Sequence, residues 1–361
     1  MERVFNFSAG PAVMAQSVLE KAQVEMLCYQ NTGMSVMEMS HRSPMYDEIF
    51  QETISLFRDL MHIPEGYDVL MLQGGATQQF SAIPLNLMKA GGGKADYVDS
   101  GNFAHLAAEE AKRYGDVRVV ASSREDQYRY VPDLHNAAWR KDADYAYITT
   151  NNTIYGTRFT EIPDTRSLPL VADMSSNILS EPYDVSKFGV IFAGAQKNIG
   201  PAGLCIVVVR RGLLGEAHPL CPKILNWTQQ QKNDSMINTP NTYGIYMAKL
   251  SFEWLKQLGG VDAIYQQNIQ KAAILYDYLE ESKLFHATAQ KEFRSLMNVT
   301  FVTGSKEQDD AFLKYAKQNG LVNLKGHRNV GGMRASIYNA MPMEGVQALV
   351  DRMKAFEREN G

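Results

Sequence analysis

The sequence has no apolar run of membrane-spanning length, so no transmembrane helix is expected. It has only three cysteines, Cys28, Cys205 and Cys221, far from one another, with no C-x-x-C pair and no histidine at ligand spacing, which argues against structural zinc. Cys205 lies inside the apolar run LCIVVV and reads as a buried, inert thiol. There is no excess of positive charge: 36 Lys and Arg stand against 40 Asp and Glu, a net −4. Nothing global therefore draws nucleic acid or an anionic membrane, and any anion site has to be a local cluster of basic residues. No strand-like run is followed by G-x-G-x-x-G, which disfavours a nicotinamide enzyme. The start, MERVFNFSAGPAVM, lacks the charged, apolar and small-residue order of a signal peptide, so a cytoplasmic setting is expected. No internal repeat, low-complexity tract or basic DNA-binding arm is visible.

What is present is a chain of 361 residues with 45% hydrophobic content, enough for a large core and about two domains. Short apolar runs alternate with amphipathic stretches. Asp68–Leu72, Ala95–Asp99, Val117–Ala121, Asp144–Thr149, Leu168–Ala172, Gly189–Ala193 and Leu204–Arg210 have strand length and β-branched or aromatic content, and Phe103–Tyr114 reads as one of the helices between them. Strands alternating with helices predict a mostly parallel sheet covered on both faces, whose ligands gather beyond the carboxyl ends of the strands. Pro84, inside the helix expected after Gly75, should kink or shorten it. Beyond Thr239 the pattern changes to two long helices, Thr242–Leu258 and Val261–Ser282, parted by Gly259–Gly260. Strand Leu296–Val302, helix Gln308–Gln318, strand Gly332–Ile337 and helix Glu344–Arg358 follow, a smaller α+β unit in which Asn298 and Thr300 are expected to be solvated or paired.

Between two of the apolar runs, in GVIFAGAQKNIGPAGLCIVVVRR, stands a single cation, Lys197. A lone lysine beyond a strand is ordinarily a solvated loop residue. Here SLPLVADMSSN places a carboxylate, Asp173, at the carboxyl end of another nearly all-apolar strand, where an unpaired charge is costly. Pyridoxal phosphate needs such a pair: a lysine to carry its aldehyde and a carboxylate to keep its ring nitrogen protonated. A place for its phosphate is offered by GGATQQF, Gly74 to Phe80, which follows a strand and opens a helix with free N–H groups.

Taken with FNFSAGPA, SVMEMSHRS, NNTIYGT, ADMSSN, AGAQKNIGPAG, NTPNTY and GHRNVGGMRASIYNA, in that order along essentially the whole chain, these blocks resemble the phosphoserine aminotransferases, fold type I pyridoxal phosphate enzymes of the class V aminotransferase group. The resemblance implies an α/β fold. Its large domain, residues 16–258, carries a mostly parallel seven-stranded sheet between helices; residues 259–361 with the N-terminal segment 1–15 form a smaller α+β domain. It also implies roles. Lys197 would carry the cofactor covalently, Asp173 would pair with its ring nitrogen, Thr153 would lie near its phenolic oxygen, and Ala76, Thr77 and Gln196 would bind its phosphate. Asn238 and Thr239 would reach the phosphate of a neighbouring subunit's cofactor, making a homodimer with shared active sites. Phe103 stands where the family often stacks a tryptophan on the ring, and Thr77 where some members have arginine; phenylalanine stacks with less area.

For the substrate, the resemblance implies that Arg334 grips an α-carboxylate while His41, Arg42, His327 and Arg328, some of them from the partner subunit, surround a phosphate or side-chain carboxylate. Arginine's planar fork suits both groups. The implied reaction is reversible transfer of an amino group between L-glutamate and 3-phosphohydroxypyruvate in serine biosynthesis, and 4-phosphohydroxy-L-threonine is a further substrate the resemblance permits. A serine or alanine transaminase acting on glyoxylate would need fewer cationic side chains. A cysteine desulfurase-like lyase would need a reactive cysteine on an exposed loop.

Overall fold

The structure, a computed structural model, describes residues 3–360. The expected N-terminal segment begins at Met1 and the C-terminal one ends at Gly361; Met1, Glu2 and Gly361 lie outside the described residues.

The seven apolar runs form the strands of one sheet: β1 (Tyr67–Gln73), β2 (Lys94–Asp99), β3 (Asp116–Ser122), β4 (Tyr145–Thr149), β5 (Leu170–Asp173), β6 (Val190–Gly194) and β7 (Leu204–Arg210). Their spatial order is β1-β7-β6-β5-β4-β2-β3, and only β7 runs antiparallel to its neighbours. Side chains alternate across it. Val69, Met71, Ile206 and Val208 enter one apolar layer, while Leu70, Leu72, Cys205 and Val207 enter the opposite one, so both faces are covered and the strands read as continuous apolar runs. Helix α1 (Pro44–Leu60) packs against the first layer; α2 (Ala76–Leu87) and α3 (Asn102–Ala111) pack against the second. β5 starts two residues later than its apolar run because Pro169 cannot donate to the ladder, and it extends to Asp173, which pairs with Thr149 on one side and Phe192 on the other. Pro84 does not stop α2, which runs three residues beyond it. The proline lies in the last turn, where its own carbonyl still accepts from Met88 N at 3.0 Å.

Beyond the sheet, α4 (Thr242–Gln257) and α5 (Gly260–Glu281) meet at Gly259, whose φ of +100° is open to glycine at little cost. A second sheet, β8 (His286–Ala287), β9 (Asn298–Val302) and β10 (Met333–Ser336), is antiparallel throughout. With α5, α6 (Lys306–Gln318) and α7 (Met343–Asn360) it encloses a separate apolar cluster built around Phe285, whose ring centroid is 4.8 Å from that of Phe312. Phe7 belongs to that cluster, and Phe5–Asn6 pair in parallel with Leu321–Val322. Asn298 and Thr300 are buried and paired, Asn298 with Asn151, Ser336 and Tyr338.

Candidate active site

Five strand ends converge on one cavity of about 280 Å³, small for a ligand site but lined by convergent polar groups. β1 leads to Gly75, Ala76 and Thr77; β2 leads to Phe103; β4 to Thr153; β5 ends in Asp173; and β6 leads to Gln196 and Lys197. From the second sheet and the loop before it come Arg334 and His327, and from the N-terminal segment Ala9 and Gly10. The crevice at the carboxyl ends of a largely parallel sheet is where such folds place ligands.

Each group has a local reason for its position. β6 ends where Lys197 turns back under the N-terminal segment, and Gly10, at φ +140°, passes so close that a Cβ there would lie 3.5 Å from the Lys197 chain. Lys197 Nζ donates to Thr153 Oγ1 at 2.7 Å and lies 5.7 Å from the centre of the Phe103 ring. Asp173 is held from below: Ser175 N–H donates to its Oδ1 at 2.9 Å, and Ser175 Oγ accepts from Gly194 N at 3.1 Å. Among the described residues no donor reaches the second oxygen of Asp173. Helix α2 begins at Gly75 without a side-chain cap, which leaves the Ala76 and Thr77 N–H groups unclaimed at the positive end of the helix. Gly194 keeps that end open, since a Cβ on it would stand 3.4 Å from Ala76 N and clash with the Gln196 amide. Arg334 donates from Nη1 to the Thr153 carbonyl at 3.3 Å, while its Nε is buried without a partner.

Burial sets the electrostatics. Lys197, enclosed at the cavity wall, is pushed down to about 8; Arg334 adds to the fall and Asp173 opposes it. The Asp173 carboxyl is raised by its own burial, against the pull of the Ser175 hydrogen bonds and of Lys197. His327 is lowered by burial and by the neighbouring Arg334 and Arg328. Each group is a charge held short of full compensation, and that favours a ligand carrying the missing partners.

Of the residues singled out in the sequence, Ala76, Thr77, Phe103, Thr153, Asp173, Gln196, Lys197, His327 and Arg334 line this one cavity. His41, Arg42, Arg328, Asn238 and Thr239 do not. Arg42, Arg328, Asn238 and Thr239 are exposed and His41 partly so. Asn238 lines a separate cavity of about 240 Å³ with Gln73, donating to Gln73 Oε1 at 3.4 Å, and the Gln73 amide donates to the Thr239 carbonyl. Sequence reasoning gave no role to Ala9, Gly10, Phe80, Ile154 or Ser175, which also face the cavity. Ser175, Phe80 and Ile154 were within reach, in ADMSSN, GGATQQF and NNTIYGT beside residues already singled out; Ala9 and Gly10 touch the site where the N-terminal segment crosses it. A larger cavity, about 730 Å³, opens near Phe159 and Phe293 under four carboxylates, Asp133, Glu161, Asp164 and Glu292. It holds none of the candidate residues and no lysine or arginine.

A fit to pyridoxal phosphate is supported by three groups left short of partners: the free N–H groups at the uncapped start of α2, the unclaimed oxygen of Asp173 and the orphaned Nε of Arg334. The first can hold a phosphate, the second a protonated ring nitrogen, and the third a substrate carboxylate, with Lys197 between them.

The aminotransferase class-V family model matches residues 4–349 of the chain. The phosphoserine aminotransferase of Bacillus cereus is 56% identical over 360 residues, covering all of both chains, and that of Listeria monocytogenes is 54% identical over 358 residues, covering 99% of this chain and 97% of the other. Among solved structures, phosphoserine aminotransferase from Bacillus circulans subsp. alkalophilus superposes with a TM-score of 0.98 at 44% identity, each chain covered in full. Pyridoxal phosphate-bound phosphoserine aminotransferase from Trichomonas vaginalis gives 0.92 at 38%, covering 98% of this chain and all of the other.

Proposed function

The chain belongs to the class-V aminotransferase family, with the fold type I architecture of its relatives, and from that premise we propose that it works as a phosphoserine aminotransferase. It transfers an amino group reversibly between L-glutamate and 3-phosphohydroxypyruvate, giving O-phospho-L-serine and 2-oxoglutarate, a step of serine biosynthesis. The observation that carries this reading is the convergence of Lys197, Asp173, the open start of α2 and Arg334 on one cavity.

Pyridoxal phosphate, when bound, supplies a sink for the electron pair left at the substrate's Cα. The chain's own residues do the rest. Ala76 and Thr77 N–H groups, with Gln196, would hold its phosphate, and Phe103 would cover one face of its ring. Asp173, fixed by Ser175, would keep the ring nitrogen protonated, and Thr153 would exchange its present contact with Lys197 for the phenolic oxygen. Lys197, whose basicity burial lowers toward neutrality, would take the Cα proton and hand it on. Arg334, which lines the cavity, would fix the α-carboxylate common to both substrates and so orient them against Lys197.

The dianionic end of phosphohydroxypyruvate needs more charge than His327 and Arg334 provide. Arg328, His41 and Arg42 would supply it, the last two from a second copy, and Asn238 and Thr239 would reach that copy's cofactor phosphate. We therefore read the active form as a homodimer with shared sites, acting in the cytoplasm. No helix among the described residues is long and apolar enough to cross a membrane. The division into residues 16–258 and 259–361 with 1–15 is supported by the separate apolar cluster around Phe285 and Phe7. 4-Phosphohydroxy-L-threonine presents the same carboxylate and phosphate and falls within the same specificity.

The test is a spectroscopic titration of the purified, cofactor-loaded protein. Glutamate should abolish the absorbance of the lysine-bound cofactor and phosphohydroxypyruvate should restore it, with phosphoserine as product. Faster exchange with serine and glyoxylate than with the phosphorylated pair would transfer the protein to another transaminase activity of the same family.

A further inference from the structure

The most deeply buried lysine among the described residues is a different one. Lys271, on the inward face of α5, is 2% exposed, and no described carboxylate lies within ion-pair distance of it. Its Nζ is surrounded by backbone oxygens: Tyr338 O at 2.8 Å, Ile337 O and Met341 O at 3.2 Å, and Asn339 O at 3.4 Å. Four acceptors around one nitrogen suit an ammonium with three N–H donors, because a neutral amine would turn its lone pair toward one of the oxygens. The lysine thus gathers the turn 337–341, which directly follows the strand bearing Arg334.

That turn reaches the active site along two routes. Asn339 N donates to Asn198 Oδ1 at 3.1 Å, and Asn198 is the residue after Lys197. Asn198 Nδ2 in turn donates to Ile178 O at 3.1 Å, so its side chain is pinned from both ends. On the other route Tyr338 OH donates at 2.8 Å to the carbonyl of Ala9, in the segment that crosses above Lys197. Asn268, one turn before Lys271 on α5, donates to Asn339 Oδ1 at 2.9 Å and to Ser180 O at 3.0 Å, which ties the same turn to the chain beyond Asp173.

We propose that Lys271 is a positioning residue for the reaction, its buried Nζ organising the 337–341 turn so that Asn339 and Asn198 hold the Lys197 loop in place. The inference rests on reading Lys197 as the reactive amine, and it assigns Lys271 no contact with substrate or cofactor. A loosened loop would let Lys197 swing into solvent, away from Asp173 and Arg334, the charged groups that face it, and regain the basicity of an ordinary lysine.

The measurement uses the cofactor-free protein. Lys197 is methylated with formaldehyde and cyanoborohydride over a range of pH, and the rate at that residue is read by peptide mass spectrometry. In the unmodified chain the midpoint should fall near pH 8. Lys271→Met and Asn198→Ala should each raise it by at least one unit, slowing Lys197 methylation at pH 8 by about fivefold. The double variant should go no further than either single one, because both cut the same chain of contacts. Turnover of the loaded Lys271→Met protein should fall about tenfold through misplacement of the amine. A folded Lys271→Met protein with an unmoved midpoint would overturn the proposal, as would effects of the two substitutions that add independently. Asn198→Ala decides the matter if Lys271→Met does not fold: an unmoved midpoint there removes the link between turn and lysine. Because the midpoint is read without substrate, its outcome is independent of whether glutamate and phosphohydroxypyruvate are the true pair.

Discussion

Lys197 and Lys271 are both enclosed and their surroundings are opposites; Lys249, also buried, is paired with Glu52 and Glu253. Lys197, at the carboxyl edge of the large sheet, has one hydrogen bond, to Thr153, and an open cavity in front of it. Lys271, at the junction of α5 with the second sheet, has four carbonyl partners within 3.4 Å of its Nζ. Both are pushed down by burial, to about 8 and about 7. Depressed basicity therefore does not distinguish a reactive lysine from a structural one. What distinguishes them is whether the lost hydration has been replaced: at Lys271 backbone oxygens stand in for water, and at Lys197 the replacement is left to a ligand.

The comparison breaks most visibly at Lys197. Lys197→Ala should lower turnover by at least about 10⁴-fold, since it removes both the covalent anchor and the proton carrier. Borohydride reduction of the cofactor-treated variant should then leave no adduct at position 197 by mass spectrometry. Next in size is Asp173→Asn, which keeps the shape and the Ser175 contact but removes the charge; a fall of about 10²–10³ in kcat is expected, comparable to loss of another preorganised charged group. If its rate stays within threefold, the carboxylate is a structural acid and the site has a different electronic basis. Arg334→Lys should cost about 10- to 100-fold in kcat/KM for glutamate, because a point charge replaces a fork at the carboxylate, with the effect read equally on both substrates.

The two lysines also differed in how plainly the sequence showed them. Lys197 stands between two apolar strands and Asp173 closes a third, so the cost of leaving either charge unmatched could be argued from neighbouring residues alone. The seven strands appear within two residues of their expected limits, and Leu204–Arg210 on them, because strands covered on both faces, as the central ones are, are written as unbroken apolar runs. Lys271, in NIQKAAILY, looks like any lysine on an amphipathic helix; the carbonyls that hold it lie 66 to 70 residues further on. Gly10 was silent for the same reason, its importance arising from where distant segments cross. Arg334 and His327 acquired roles only through family resemblance, since nothing local distinguishes a basic residue that enters a pocket from one that enters solvent. His41, Arg42, Asn238 and Thr239 remain outside the cavity of a single chain, and their roles stand or fall with the dimer.

The smallest effect sharpens the comparison most, because its sign should differ between the two sites. In the cofactor-free protein, burial lowers Lys197 from the usual 10.5 to about 8, so between those values the unfolded chain binds more protons than the folded one. Stability contributed by this position therefore rises as pH increases from about 8 to 10.5, and the penalty is fully present below 8. Lys197→Met removes it. The variant should be more stable than the parent by about 1–2 kcal/mol at pH 7, a gain of the kind that follows when a strained functional group is replaced, and the gain should fade toward pH 10.5. Lys271→Met should instead lose several kcal/mol at pH 7, because the Ile337, Asn339 and Met341 carbonyls are left without a donor, Tyr338 O keeping only Met341 N–H, and each unmet group costs about 1–3 kcal/mol. Urea unfolding of both variants at pH 7 and pH 10 gives four values. If both substitutions destabilise at pH 7 by similar amounts, the cavity in front of Lys197 is compensating its charge as fully as the carbonyls compensate Lys271, and the difference between a reactive and a structural lysine has to be sought in geometry alone.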